Sequence, residues 1–300
     1  MAATTKTFLL LAFMTALFLT AGAALGGGQG MLIALGLALT TNAYAFWRSG
    51  DAVLGMYGAR QVDRVAAPQL HDMVEGLAHR AGVPMPRLFV IDNAQPNAFA
   101  TGRDPAHAAV AVHTGAMDLL SEDELAGVIA HELAHIKSRD TLLMTVSATL
   151  SGALASLANI ALFLPHSRDE NGRAGGIGVL FAMLIAPFAA TLLQLAISRT
   201  REFEADRIGA AIAGNPHGLA RALGKIDSAA CQIPNAAAER HPATAALFII
   251  HPLQGGALGG LFRTHPPTEQ RIARLEALAS PVMPTAAPAI DPDKTLTPWD

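Results

Sequence analysis

Long charge-free stretches alternate along this chain with ordinary polar ones. Residues 8–47 contain no Asp, Glu, Lys or Arg, and Gly26-Gly27-Gly28-Gln29-Gly30 interrupts them. Two apolar helices joined by a tight turn are predicted there, each near the roughly 20 residues that span a bilayer. Residues 141–164 and about 177–198 are again uncharged. Soluble helical cores rarely sustain such runs, so four transmembrane helices are predicted. A cleaved signal peptide is the rival reading of the N-terminus, built on Lys6, an apolar run and Ala21-Gly22-Ala23. A second apolar span, rather than a polar domain, comes directly after that point, which favours a retained hairpin.

The polar stretches carry the signals of a small α+β domain. Residues 67–81 have the pattern of an amphipathic helix, ended by Gly82-Val83-Pro84. Arg87-Leu88-Phe89-Val90-Ile91 reads as a strand closed by an Asp92-Asn93 turn, and residues 108–113 read as a second. Ser121 and Glu124 form an S-x-x-E capping box that starts another helix. Residues 199–280 read as mainly helical, and Pro281, Pro284, Pro288, Pro292 and Pro298 mark a tail expected to be disordered. The expected organisation is a transmembrane hairpin at 1–47, the first part of a soluble domain at 48–140, a second hairpin at 141–198, the rest of the soluble domain at 199–280, and the tail at 281–300. The expected fold class is thus mainly α membrane protein, with four transmembrane helices and a soluble α+β domain.

Charge then orients the spans. Lys6, Arg48, Arg60, Arg64, Lys137, Arg139, Arg199, Arg201 and Arg207 flank the membrane on one side, against Arg168 and Arg173 on the other. The richer side is expected in the cytoplasm, together with both termini and the polar domain. Composition agrees: 51% of the 300 residues are hydrophobic, 15% are charged, and the mean hydropathy is +0.35. A net charge of −3 with no basic stripe offers nothing for nucleic acid. The single cysteine, Cys231, excludes an internal disulfide and any CxxC site, and is expected to pack as a small hydrophobe.

The chemistry lies at His131-Glu132-Leu133-Ala134-His135, an HEXXH pattern on the helix that the capping box starts. Residues four apart share a helical face, so both imidazoles can bind one Zn²⁺, with Glu132 beside them as candidate general base for zinc-bound water. A catalytic zinc keeps one position for water and needs a third protein ligand. The short extension H-x-x-G-x-x-H is absent, because Arg139, Asp140 and then the apolar run follow. Counted from the middle of the loop at 165–176, Glu202 lies about as far along the chain as His135, so an antiparallel hairpin brings them to one depth. Glu202 is therefore the candidate third ligand. Asp206, one turn on, is placed to accept the free N–H of a ligating imidazole. Glu204 faces elsewhere, and the alternative is that these carboxylates merely pair with Arg199, Arg201 and Arg207 on a solvated face.

HELAH, the hairpin and Arg201-Glu202-Phe203-Glu204-Ala205-Asp206 together resemble the HtpX membrane metalloproteases, relatives of the CAAX prenyl endopeptidases within the gluzincins. Asn97-Ala98-Phe99-Ala100-Thr101-Gly102 and Thr264-His265-Pro266-Pro267-Thr268-Glu269-Gln270-Arg271-Ile272 extend the likeness. The resemblance implies a zinc endopeptidase of the bacterial inner membrane, a stress-response enzyme whose substrates are damaged or misfolded membrane proteins. It implies His131, His135 and Glu202 as zinc ligands, Glu132 as catalytic base, and Asp206 as support for a ligand histidine. Asn97, Ala98, Phe99 and His265 match positions near substrate, with His265 a candidate donor to the tetrahedral oxyanion. An extended peptide is expected to add to the edge of the strand at 108–113. The rivals are a processing protease for specific peptides and a non-catalytic membrane zinc scaffold, the latter opposed by the intact Glu132. A transporter is disfavoured, since no span contains an ionisable residue of the kind transport pathways usually need.

Overall fold

The structure, a computed structural model, describes residues 3–163, 199–254 and 265–279. The expected fourth span, the loop with Arg168 and Arg173, and the proline-rich tail lie outside these residues. Residues 3–56 form a helical hairpin whose backbone leaves helical geometry at Gly26 (φ −145°, ψ 19°) and Gly27 (φ 57°, ψ −140°). Gly27 occupies a region that side chains with a Cβ rarely enter, which is how the turn becomes so tight. The arms are α1 (Ala3–Ala23) and α2 (Gly26–Met56), both long and apolar enough to cross a membrane. They touch closely at Gly22 and Gly30, where a Cβ on either would strike the other's carbonyl oxygen. Further along, Asn42 donates to the Leu11 carbonyl (3.0 Å) and to Thr15 Oγ1 (2.8 Å), pinning the arms together. Phe8, Leu9, Leu32, Ile33 and Trp47 face outward, the apolar surface expected of helices solvated by lipid.

The chain that follows the hairpin is built on a four-stranded sheet. Its elements are β1 (Arg60–Val62), α3 (Pro68–Ala81), β2 (Arg87–Ile91), β3 (Ala98–Gly102) and β4 (Ala108–His113), then helices α4 (Thr114–Leu119) and α5 (Glu122–Lys137). The strand order is β1-β2-β4-β3, with β2 and β4 parallel and the other pairs antiparallel. This corrects one expectation. Residues 108–113 are an internal strand, paired on both sides, and the edges are β1 and β3, the second of which the pattern of residues 98–102 did not announce. Both faces of the sheet are covered, so β3 and β4 are buried throughout and show no polar alternation. Leu88, Val90, Ala100, Val110 and Val112 point to the core under α3 and α5. Phe89, Ile91, Phe99, Ala109 and Ala111 point to a second core formed with α1, α2 and the helix α6 (Asp140–Phe163). One thin sheet thus joins the half that carries HELAH to the apolar helices.

Helices α7 (Arg199–Ala213), α8 (Pro216–Ala230), α9 (Ala236–Arg240) and α10 (Thr268–Ala279) and a 3-10 turn (Pro242–Leu247) complete the described chain. Cys231 caps the end of α8 and is exposed, against the expectation of a packed thiol, because the helix stops at the surface there.

The capping box at the start of α5 forms in full: Ser121 accepts from the Glu124 N–H, and Glu124 accepts from the Ser121 N–H at 3.0 Å. Glu124 also receives Lys225 (2.7 Å) and Arg221 (3.3 Å) from α8. Burial pushes its carboxyl up, but Lys225, the Ser121 amide and Arg221 together hold it below the usual glutamate value. Such a group stabilises the fold above the unfolded pKa of 4.5, and the contribution disappears as pH falls through the lower folded value. Glu124→Gln keeps the cap and removes the charge. It is expected to cost about 1 kcal/mol at pH 7 and nothing once both carboxyl states are protonated, read from thermal midpoints across pH.

Candidate metal centre

Three helices meet at the site, and glycines let them meet closely. A Cβ at Gly209 of α7 would come within 2.9 Å of the His131 Cα, and one at Gly127 of α5 within 2.9 Å of the Leu219 Cα on α8. With α5 and α7 in backbone contact, Glu202 lies two turns before Gly209, opposite the HELAH face. His131, Glu132, His135, Glu202 and Asp206 are all buried. The bland alternative for Glu202 and Asp206, a solvated face paired to nearby arginines, does not describe this arrangement; it describes exposed Glu204, which takes Arg207 at 2.6 Å.

His131 Nε2 and His135 Nε2 stand 3.2 Å apart. Glu202 Oε2 is 3.8 Å from the first and Glu202 Oε1 is 3.6 Å from the second. Two ligands each about 2.0–2.1 Å from one tetrahedral ion stand about 3.3–3.4 Å apart, so a small inward movement of Glu202 completes a three-ligand set. Within the described residues His131, His135 and Glu202 form a buried group able to hold a metal ion. A second trio, half-buried His71 with exposed Asp72 and Glu75, also groups possible ligands, but Arg64 already sits on Asp72 at 2.9 Å.

Each imidazole is backed by a carboxylate on its outer nitrogen. Asp206 Oδ1 lies 2.9 Å from His131 Nδ1, and Asp140 Oδ2 lies 3.5 Å from His135 Nδ1. Asp206 is gripped by Arg271, whose Nε and Nη2 donate at 2.9 and 2.7 Å while Nη1 donates to the Ile249 carbonyl at 2.7 Å. Arg271 is fully buried. Its place in the Thr264–Ile272 motif was visible, yet a lone arginine at the start of a surface-like helix carries no signal of burial. Arg274 on the same helix lies over the Phe203 ring at 3.7 Å and helps hold α10 to α7.

Electrostatics sorts these groups. Burial pulls His131 down to about 4 against the pull of Asp206, so it is neutral and ready to ligate. Burial also opposes charge on His135, but Asp140, Glu202 and Glu132 outweigh it and raise it to about 9. Burial pushes the Glu132 carboxyl up to about 8, with His135 opposing, Glu202 reinforcing, and the Ala100 amide of β3 donating to it. Burial likewise disfavours charge on Glu202 and Asp206, and His265 for the one and Arg271 for the other hold them far below their usual values. The site thus drives its carboxyls apart, Glu132 upward and Glu202 and Asp206 downward.

The remaining motif residues fall into two places. His265 sits at the rim, with Nδ1 3.1 Å from Glu202 Oε2 and a buried Nε2 that has no partner among the described residues. A cleft of about 450 Å³ opens beside it, lined by Ile250, Leu253, Asp227 and Glu269 among others. Asn97, Ala98 and Phe99 are wholly buried. Asn97 Nδ2 donates to the Ile250 carbonyl at 2.8 Å, the Ile249 N–H donates to the Ala98 carbonyl at 3.2 Å, and Phe99 packs on Tyr57 and Phe248. These side chains hold the wall of the site together rather than reaching into it.

A helix bearing HEXXH, a glutamate from a second helix and a sheet edge beside them define a metallopeptidase. Residues 65–279 match Peptidase family M48, and the chain belongs to that family of metalloproteases. It is 55% identical over 275 residues to the Protease HtpX homolog of Ralstonia pickettii (strain 12J), covering 91% of this chain and 96% of that one. It is 56% identical over 275 residues to the Protease HtpX homolog of Ralstonia nicotianae (strain ATCC BAA-1114 / GMI1000), with the same coverage. The crystal structure of S. mikatae Ste24p shares the fold, with a TM-score of 0.50, 18% identity, and coverage of 90% of this chain and 65% of that one.

Proposed function

We propose that this metalloprotease is a zinc-dependent endopeptidase of the bacterial inner membrane that cuts damaged or misfolded membrane proteins in quality control. The observation that carries the reading is the convergence of His131, His135 and Glu202 on one buried point with Glu132 beside it. Bound there, zinc supplies a Lewis-acid charge for water and for the scissile carbonyl. Glu132, ionised beside the metal charge, takes the proton of the attacking water and hands it to the departing nitrogen. Asp206 and Arg271 hold His131 in the tautomer whose Nε2 faces the ligand cluster. His265, with Nδ1 on Glu202, donates from Nε2 to the developing oxyanion when it is an imidazolium. The substrate strand lies main chain to main chain beside Ala100 of β3, with Asn97, Ala98 and Phe99 forming the support behind it. Backbone pairing tolerates many sequences, which suits quality control better than a processing role.

Four spans with the site facing the cytoplasm complete the proposal, on the lysine and arginine count and the hairpin at 3–56. Full-length protein purified in detergent is expected to contain about one zinc per chain and to digest casein. A chelator should stop digestion and added Zn²⁺ restore it. Cleavage that persists in metal-free protein would overturn the reading.

A further inference from the structure

The first metal-site histidine has a familiar kind of support, whereas the second is supported from an unexpected direction. Asp140 is five residues past His135. In an unbroken helix it would stand about 140° around the axis and could not approach the ring. The chain is broken between them: Ser138 ends α5 in helical geometry and Arg139 takes φ 58°, a left-handed conformation. For a non-glycine residue that turn costs on the order of 1 kcal/mol. Its consequence is that Asp140, the first residue of α6, turns back toward the site, buried, with Oδ2 3.5 Å from His135 Nδ1. Its other oxygen, Oδ1, accepts from Arg201 Nη1 at 2.9 Å. Arg201 is the immediate neighbour of Glu202.

We propose that Asp140, clamped by Arg201, is a positioning residue for His135, and that this clasp ties the start of α6 to the start of α7 so that helix packing sets the affinity of the metal centre. The inference rests on reading His131, His135 and Glu202 as metal ligands. His135 Nε2 faces His131 and Glu202, so Nδ1 is the outward nitrogen; it makes no hydrogen bond as it stands, and Asp140 Oδ2, 3.5 Å away, is the carboxylate placed to close on it and fix both the tautomer and the ring plane. Arg201 occupies the second oxygen of Asp140 and so leaves Oδ2 turned to the histidine. The arrangement parallels Arg271–Asp206–His131, with one difference. Arg271 and Asp206 lie on α10 and α7, whereas Asp140 opens α6 and Arg201 lies in the first turn of α7. Separating α6 from α7 would pull both from the site.

The test is zinc affinity of full-length protein in detergent, measured by competition with a chromophoric chelator, alongside the visible spectrum of the Co²⁺-substituted protein. Asp140→Ala is expected to weaken zinc about tenfold to a hundredfold and to shift the cobalt bands. Asp140→Asn retains one acceptor oxygen for two donors, and should weaken zinc by about three- to tenfold. Arg201→Ala should fall between them, and Arg201→Lys should recover part of the loss. Should the alanine variant fail to fold, the near-isosteric asparagine carries the test. Zinc affinity within about twofold of wild type in folded Asp140→Asn and Arg201→Ala overturns the clasp, leaving only an ion pair that pins helix ends. Wild type that takes up no zinc while His131→Ala behaves identically overturns the metal-centre reading instead.

Discussion

Glu132→Gln is expected to keep its metal and to lose about 10²–10⁴-fold in peptide cleavage. Glutamine has nearly the same shape, and its carbonyl oxygen can still accept the Ala100 N–H that helps hold this position. What it cannot do is take up a proton. Burial raises the Glu132 carboxyl to about 8, while Glu202 and Asp206 are held well below their usual values. Metal content and the rate of casein cleavage, measured on the same preparation, check the expectation. Cleavage within about tenfold of wild type would sink the assignment of Glu132 as base, and loss of metal would make it a structural residue of the site.

Arg271→Ala is expected to be the most destabilising single change in the site, by about 3–5 kcal/mol, because it strands the buried Asp206 carboxylate without its counter-ion. Asp206 would then protonate or draw in water, and His131 Nδ1 would lose a fixed acceptor, so metal affinity should fall with stability. A double variant separates the two effects. Arg271→Met with Asp206→Leu fills the same volume without charge and should recover most of the stability, since a buried ion pair is seldom better than good apolar packing. Its metal affinity should stay low, because His131 then has no partner. Thermal midpoints of the metal-free proteins and zinc competition distinguish the outcomes; recovery of both together would mean that Asp206 has no part in holding His131.

Much of this site was legible along the chain because its signals are local. The S-x-x-E capping box at the start of α5 and the helical spacing of two histidines and a glutamate depend on residues within a turn or two of one another. The pairing of Glu202 with His135 needed only lengths and charge-free runs. Other features were beyond reach for a physical reason. Whether β4 is internal or at an edge depends on which strand lies beside it, and β3 is too short and too buried on both faces to display an alternating pattern. The tasks of Arg271 and Asp140 depend on long-range contacts, to Asp206 and Arg201, that no spacing rule contains.

What the sequence by itself determined is the reaction class: HELAH on a capped helix, a carboxylate pair at Glu202 and Asp206, and apolar segments with their charge bias. The tertiary structure decided how those parts become one site. It buried Asn97, Ala98 and Phe99 as a wall, brought Glu202 to the histidines across a glycine contact at Gly209, and gave each imidazole an aspartate and each aspartate an arginine. Periodicity along a chain reports which face of a helix is apolar. The partner that meets that face, and the charge that survives burial beside it, come only from packing.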